Sequence, residues 1–268
     1  MSAVSANTAT GTIQQYIAQT YFGLRLVLAL LAFSFPWLLY FGARLAGYGW
    51  ESSLSAFYEA HNGLMRDGFV GVLWAVGMML LAYRGLHIAE SAALLVAGVA
   101  AIGIASFACH CVSESDPHSG WHTFFAILFF ACITYICLFH ARDTLTLLPA
   151  DAKPPAATFR TIYLVIGVLM IALPMAAVLL DHFLGGGKAV LGAEIAGIYV
   201  FGAYWCVKSW ELGKSDAERD IARGRIVRVH RKGLVRLPTG AAAAPRSLVY
   251  PATVADIADR GRGDDVVP

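Results

Sequence analysis

Thiol, imidazole and carboxylate side chains, the types that bind metals or transfer protons, are concentrated in residues 109–122, CHCVSESDPHSGWH. Long apolar runs flank this polar segment on both sides, and ionisable groups beside lipid are costly unless they are paired, solvated or functional. His118 and His122 are four residues apart, so on a helix their imidazoles share one face and can bind one ion. Such pairs are typical of zinc, nickel or copper sites that a carboxylate or water completes. Two water-exposed histidines at a membrane interface are the alternative.

The residues around this histidine pair predict its local structure. Asp116 and Pro117 indicate a helix start, because Asp caps helix N-termini and Pro suits the first helical position. Cys109 and Cys111 flank His110 and can form a softer ligand set. Small, partly buried residues are the commoner role for such cysteines. The other cysteines fall within the apolar runs, which disfavours a disulfide framework.

A second polar segment, residues 53–71, reads SLSAFYEAHNGLMRDGFVG. The sequence His61-Asn62-Gly63 predicts a turn, and residues 53–60 before it predict a short interfacial or re-entrant helix. Ser55 and Glu59 share one face of that helix. Asp67 opens the next helix, where the helix dipole stabilises a carboxylate.

These two carboxylates have a structural and a functional interpretation. In the structural one, Asp67 only stabilises its helix start and Glu59 is solvated. In the functional one, Glu59 or Asp67 is a proton acceptor or metal ligand that faces His118 and His122.

The elements that must position these groups are membrane helices. The chain has 268 residues, of which 58% are hydrophobic and 14% charged, a balance too apolar for a soluble domain. About 20 helical residues cross the hydrocarbon core of a bilayer. Apolar runs of this length predict an all-α bundle with six transmembrane helices in residues 1–212, at 24–45, 64–83, 90–108, 117–141, 161–180 and 189–212.

The distribution of basic residues predicts the orientation. Twelve of the twenty Lys and Arg residues lie from Lys208 onward, and cytoplasmic segments retain such residues. We therefore expect both termini inside a bacterial inner (plasma) membrane, with the polar clusters at the outer ends of the spans. Residues 213–268 are predicted to be a basic, largely disordered cytoplasmic tail that contacts anionic lipid and not nucleic acid.

Parts of the chain resemble uncharacterised bacterial multi-span membrane proteins. The resemblance covers residues 55–71 with their Arg66-Asp67 pair, residues 118–130, and residues 194–208 with Phe201-Gly202 and Trp205. It implies a multi-span helical membrane protein and no particular activity.

The chain is also similar, by residue type, to the membrane hydrolases that include alkaline ceramidases and progestin/adiponectin receptors. Ser55, His61, Asp67, His118 and His122 match the Ser, His, Asp and His-x3-His that surround zinc in that superfamily. The similarity implies a zinc-dependent hydrolase of a lipid or amphiphile, with His118, His122 and His61 as metal ligands. Zinc would activate a water, and the predicted catalytic residues are Asp67, Glu59 and Ser55.

Other classes of function remain open from the sequence. Glu194 and Glu90 lie inside predicted spans, as in small-solute or proton-coupled transporters and sensors. Glycines in the third and sixth spans permit close helix packing, as in an accessory subunit, a homo-oligomer or a larger complex. A haem protein is a further alternative, in which His87 and His140 meet at the inner boundary and His122 and His182 at the outer one.

Overall fold

The computed structural model describes residues 2–107, 119–184, 188–215, 220, 226–229 and 233–236. Helices make up nearly all of this part of the chain, which confirms the predicted helical class. The helices are α1 (Ser2–Leu45), α2 (Ala60–Gly63), α3 (Arg66–Ala82), α4 (Ile88–Ser106), α5 (Ser119–Tyr135), α6 (Ala156–Leu184) and α7 (Lys188–Ser215). Short 3-10 helices occupy Ser55–Tyr58 and Asp143–Leu147, and a π-helical turn occupies Ile136–His140.

Five helical segments of the described chain are long and apolar enough to cross a membrane, which supports a membrane protein. The remaining predicted span corresponds to α3, which has 17 residues. A helix of that length reaches about 26 Å, slightly less than the hydrocarbon core of about 30 Å. Six spans and the inside location of both termini therefore stay predictions. The five segments are Tyr16–Leu45, Ile88–Ser106, Gly120–Leu147, Ala156–Leu180 and Lys188–Ser215.

The six long helices of the described chain form a closed ring. From α3 to α7 each long helix contacts the next one along the chain, and α1 contacts both α3 and α7. We call the end where α1 and α4 finish and α5 and α7 begin the cavity end. The opposite end, where α3 and α7 finish and α4 begins, is the tail end. Fully buried side chains fill the ring between them, for example Leu28, Leu39, Leu80, Ile133 and Trp205.

Helices α3 and α4 cross at two glycines. A Cβ atom added to Gly77 would lie 2.8 Å from the carbonyl oxygen of Gly98, and one added to Gly98 would lie 2.7 Å from the carbonyl oxygen of Gly77. Both neighbours are backbone atoms, so a methyl group can be accommodated only if the helices separate. Small residues allow membrane helices to approach this closely.

Substitution at this crossing should weaken the bundle. We expect Gly98→Ala to lower the free energy of unfolding in detergent by about 1–3 kcal/mol, the usual cost of overpacking. Gly71→Ala is the matched control, because a Cβ atom added to Gly71 in α3 would meet no other side chain or helix of the described chain within 4 Å. The control should be neutral or slightly stabilising, since Ala favours helix. Equal stability of the Gly98→Ala variant and the wild type would contradict the crossing.

A buried ion pair lies at the tail end of the ring. Lys208 belongs to the basic residues near the tail, yet it is only 4% exposed, and its Nζ lies 3.0 Å from Oε2 of the fully buried Glu211. Lys208 also donates to the carbonyl oxygen of Ala141, and the hydroxyls of Thr144 and Tyr163 donate to Glu211. These contacts join α7 to α6 and to the segment after α5.

The tail contains an antiparallel hairpin of strands β1 (Ile226–Val229) and β2 (Gly233–Arg236), with Val227 opposite Val235. Strand β2 contacts the 3-10 helix Asp143–Leu147 at the tail end of the ring. This hairpin was not predicted, because its two strands are short and lie in a segment whose composition is polar and basic.

Candidate functional site

A cavity of about 480 Å³ opens at the cavity end of the ring. All six long helices contribute to its wall, together with the segment of residues 52–55 that follows α1. The wall is mostly aliphatic and aromatic. Its polar side chains are few, as is usual for sites that bind small molecules: they are Ser52, Ser53, Ser55, Thr123, His122 and Glu194.

Ser55 and His122 form a hydrogen bond in this cavity. Ser55 Oγ lies 3.0 Å from His122 Nε2. The other ring nitrogen, Nδ1, lies 3.1 Å from the carbonyl oxygen of Ile104 and 2.9 Å from that of Phe107. These carbonyls belong to the last turn and C-cap of α4, where oxygens lack partners within the helix.

The two carbonyls determine which ring nitrogen of His122 carries the proton in the neutral imidazole. A carbonyl oxygen only accepts, so Nδ1 must be the donor and Nε2 keeps its lone pair. The Ser55 hydroxyl therefore donates to Nε2. A hydroxyl that donates to an imidazole, which is itself oriented by a third group, is the arrangement of an activated nucleophile and its general base.

The Ser55 segment is held against α7. The backbone N–H of Leu54 donates to Glu194 Oε2 at 2.6 Å. Ser55 then begins the 3-10 helix, and Ser53, which precedes that helix, accepts the N–H of Ala56 with its Oγ at 3.3 Å. Since Phe57 is also buried, both backbone and side-chain contacts position the Ser55 hydroxyl toward α5.

The turn after this helix follows the sequence prediction. His61 and Asn62 have positive φ angles of 55° and 59°, and Gly63 has a φ of 75°. The predicted interfacial helix is shorter than residues 53–60, since its regular part covers Ser55–Tyr58. His61, Asn62 and Gly63 make up most of the short element α2 and depart from right-handed helical angles. Element α2 is therefore a turn that leads the chain from the 3-10 helix into α3.

The structure places the other predicted site residues outside the cavity wall. His61 Nε2 lies 2.7 Å from Glu51 Oε1, and its ring stacks on Tyr48 with 3.4 Å between centroids. Glu59 is half-buried at the end of the 3-10 helix, and Asp67 is exposed in the first turn of α3. Their catalytic and metal-binding roles stay predictions. His118, like Cys109, His110 and Cys111, lies outside the described residues.

Two contacts of the site carry no signal in the sequence. Nothing in the spacing of Glu194 indicates that it binds the backbone of Leu54, because the two residues are 140 positions apart. The two backbone carbonyls that orient His122 could not be predicted either, because every residue has a carbonyl and residue type does not mark these two. Only the unusual position of Glu194 inside an apolar span marked it as a candidate.

The cavity also reaches the side of the bundle between α5 and α6. Ile127 of α5 and Val178 of α6 line the cavity, and their exposed fractions are 61% and 53%. Pro174 lies within α6 and lines the cavity below them. An interior proline removes one helical hydrogen bond and disturbs close packing. If these helices span a membrane, this side opening faces acyl chains.

Comparison with protein-family models, with curated proteins and with solved structures finds no match to this chain. The two resemblances drawn from its residues thus stay predictions. The function is argued below from the geometry of the site.

Proposed function

We propose that this protein is a membrane-embedded hydrolase that cleaves an ester or amide bond in a lipid-like amphiphile. Ser55 is the nucleophile and His122 is its general base. The observation that carries the proposal is the hydrogen bond between Ser55 Oγ and His122 Nε2 within an apolar cavity.

The chemistry follows from the assigned protons. Ser55 Oγ attacks the carbonyl carbon of the substrate while its proton passes to His122 Nε2. The bond to the leaving alcohol or amine then breaks, and the imidazolium returns the proton to that group. A water molecule next attacks the acyl-serine as Nε2 takes its proton, which releases the carboxylic acid and restores the Ser55 hydroxyl.

The orientation of His122 supports its role in both directions of proton transfer. When Nε2 gains a proton, the ring becomes positively charged while Nδ1 still donates to the carbonyl oxygens of Ile104 and Phe107. Hydrogen bonds to a charged group are stronger than neutral ones. The C-terminal end of helix α4 also favours a cation.

The shape and location of the cavity support a lipid-like substrate. Its volume of about 480 Å³ falls in the usual range of small-molecule sites. The wall is apolar, and the opening at Ile127 and Val178 leads to the apolar side of the bundle. An acyl chain can enter from the side while the polar end of the substrate reaches Ser55 at the end of the ring.

The described residues do not arrange the predicted zinc ligands around one ion. His61 is hydrogen-bonded to Glu51 and stacked on Tyr48, while both ring nitrogens of His122 already have partners. Zinc at this end of the bundle therefore stays a prediction. No step of the proposed reaction uses it.

A serine-reactive probe tests the proposal without knowledge of the substrate. We expect a fluorophosphonate to modify the purified full-length protein in detergent at Ser55, as located by peptide mass spectrometry. Ser55→Ala should abolish the modification. Ser52→Ala is the matched control, because Ser52 is an exposed hydroxyl that lines the same cavity, and it should react like the wild type. A wild-type protein that neither reacts with the probe nor hydrolyses a panel of lipid esters and amides would contradict the proposal.

Glu194 should contribute to the same activity through position and not through proton transfer. Glu194→Ala removes the acceptor for the Leu54 N–H, and we expect a rate loss of about 10-fold, the effect of roughly 1.4 kcal/mol. Glu194→Gln keeps an amide oxygen as acceptor and should retain most of the rate. A proton-coupled transporter predicts the opposite result, in which Glu194→Gln abolishes flux in proteoliposomes.

A further inference from the structure

A second cluster of ligand-type side chains lies at the tail end of the ring. It consists of His87, His140 and Asp143, and one ligand atom of each residue lies within 4.8 Å of the others. His87 Nε2 is 2.7 Å from Asp143 Oδ2, and His140 Nδ1 is 3.4 Å from the same oxygen. The centroids of the two imidazole rings are 5.4 Å apart. We call this group the tail-end cluster.

Three separate backbone features bring the cluster together. His87 precedes α4 in an extended conformation and forms its N-cap. His140 ends the π-helical turn Ile136–His140, and Asp143 begins the next 3-10 helix. Single π-helical turns are rare and occur frequently at functional sites.

The backbone on both sides of the cluster is held by other contacts. Glu90 Oε2 accepts the N–H of Leu86 at 2.8 Å, next to His87. Lys208 Nζ donates to the carbonyl oxygen of Ala141 at 3.2 Å, between the other two members. The backbone that carries the three side chains is therefore fixed by contacts outside the cluster.

The cluster combines burial with access. The side chain of His87 is 5% exposed and that of His140 15%, whereas that of Asp143 is 35% exposed. The Tyr135 hydroxyl lies 3.1 Å from His140 Nε2, so this second nitrogen has a partner that can orient the ring. Histidines that ligate metals commonly use their other nitrogen in this way.

We infer that His87, His140 and Asp143 bind a divalent transition-metal ion, with zinc as the best match. Two imidazoles and one carboxylate are a known zinc ligand set, and water completes the tetrahedron. Ligand atoms about 2.0–2.1 Å from a tetrahedral zinc lie about 3.3 Å from one another. The two His–carboxylate separations of 2.7 and 3.4 Å lie on either side of that value, and the two imidazole nitrogens lie within 4.8 Å of each other, so side-chain rotation can bring all three ligand atoms to one ion. The bound ion would link the loop between α3 and α4 to the segment at the end of α5.

Part of this cluster was predicted from the sequence. In the haem alternative, His87 and His140 meet at the inner membrane boundary as haem ligands, whereas Asp143 was not a candidate. In the structure both rings contact one carboxylate, which favours a single ion bound by all three residues. Of the predicted zinc ligands, His61 and His122 lie at the other end of the ring.

Metal binding by the purified full-length protein tests the inference. After removal of metals with a chelator, Co²⁺ should bind at one ion per chain and produce visible d–d absorption. Zn²⁺ should displace it. His87→Ala and Asp143→Asn should each weaken Co²⁺ binding by at least about 100-fold, since even outer-shell partners of metal ligands contribute 10–100-fold. Asp143→Asn keeps the size of the side chain and so tests the ligand where His87→Ala fails to fold.

A histidine elsewhere in the chain serves as the control. His182→Ala, at an exposed position of α6, should bind Co²⁺ like the wild type. Wild-type protein without saturable Co²⁺ binding would overturn the inference, and the cluster would then be a set of His–Asp ion pairs. Loss of binding in His122→Ala with retention in His87→Ala would also overturn it. The measurement reads metal content, so its outcome is independent of hydrolysis at Ser55.

Discussion

His122→Ala is expected to slow fluorophosphonate modification of Ser55 by about 10²–10⁴-fold, the usual contribution of a general base. The physical reason is that the Ser55 hydroxyl is a weak nucleophile unless Nε2 of His122 removes its proton. The second-order rate constant of modification, measured from labelling time courses, gives the effect directly.

The controls for this prediction separate chemistry from folding. His122 also caps the end of α4 through Ile104 and Phe107, so its loss affects stability as well. Added imidazole should therefore restore part of the rate in the folded His122→Ala variant. Thr123→Ala changes the next residue, which is exposed and lines the same cavity, and should react at the wild-type rate. An unchanged rate in His122→Ala would remove His122 from the mechanism.

Glu211→Ala is expected to lower the free energy of unfolding by about 3–5 kcal/mol, because it leaves the buried charge of Lys208 without its partner. Glu211 is fully buried and Lys208 is 4% exposed. The hydroxyls of Thr144 and Tyr163 lose their acceptor in the same variant. Reversible unfolding in detergent or mixed micelles gives the measurement.

Two comparisons identify the cause of this loss. The double variant Lys208→Met with Glu211→Leu removes both charges and should recover much of the stability, since an apolar pair of similar size often replaces a buried ion pair at little cost. Asp151→Ala, at an exposed position of the loop before α6, should change stability by no more than about 0.5 kcal/mol. A Glu211→Ala variant as stable as the wild type would show that the ion pair does not hold α7 in the ring.

The polar groups at the two ends of the ring were predictable from the sequence to different degrees. Ser55 and His122 were both candidates, although for different roles: Ser55 as a catalytic residue and His122 as a zinc ligand. The structure pairs them directly, since Ser55 Oγ and His122 Nε2 are 3.0 Å apart. At the tail end, Asp143 had no distinctive neighbour in the sequence, and it meets His87 and His140 through the N-cap of α4, the π-helical turn and the 3-10 helix that follows it.

Helix positions were largely predictable, and helix ends less so. Long apolar runs give the centres of the spans, because about 20 residues must cover the hydrocarbon core. The structure extends α1 back to Ser2 and α6 to Leu184, beyond the predicted 24–45 and 161–180. Helices can continue past an apolar run into water, where hydropathy no longer marks their ends.

The sequence by itself determined the helical class and a composition typical of membrane proteins, because apolar runs of about 20 residues satisfy their backbone hydrogen bonds within a single helix in lipid. It also supplied the short list of residues able to do chemistry. Only the tertiary structure decided which of them meet. Ser55 and His122 are 67 positions apart, and their contact depends on how the ring of helices closes and how each helix is rotated within it. Local sequence patterns do not contain that information, because side-chain packing between distant helices determines it.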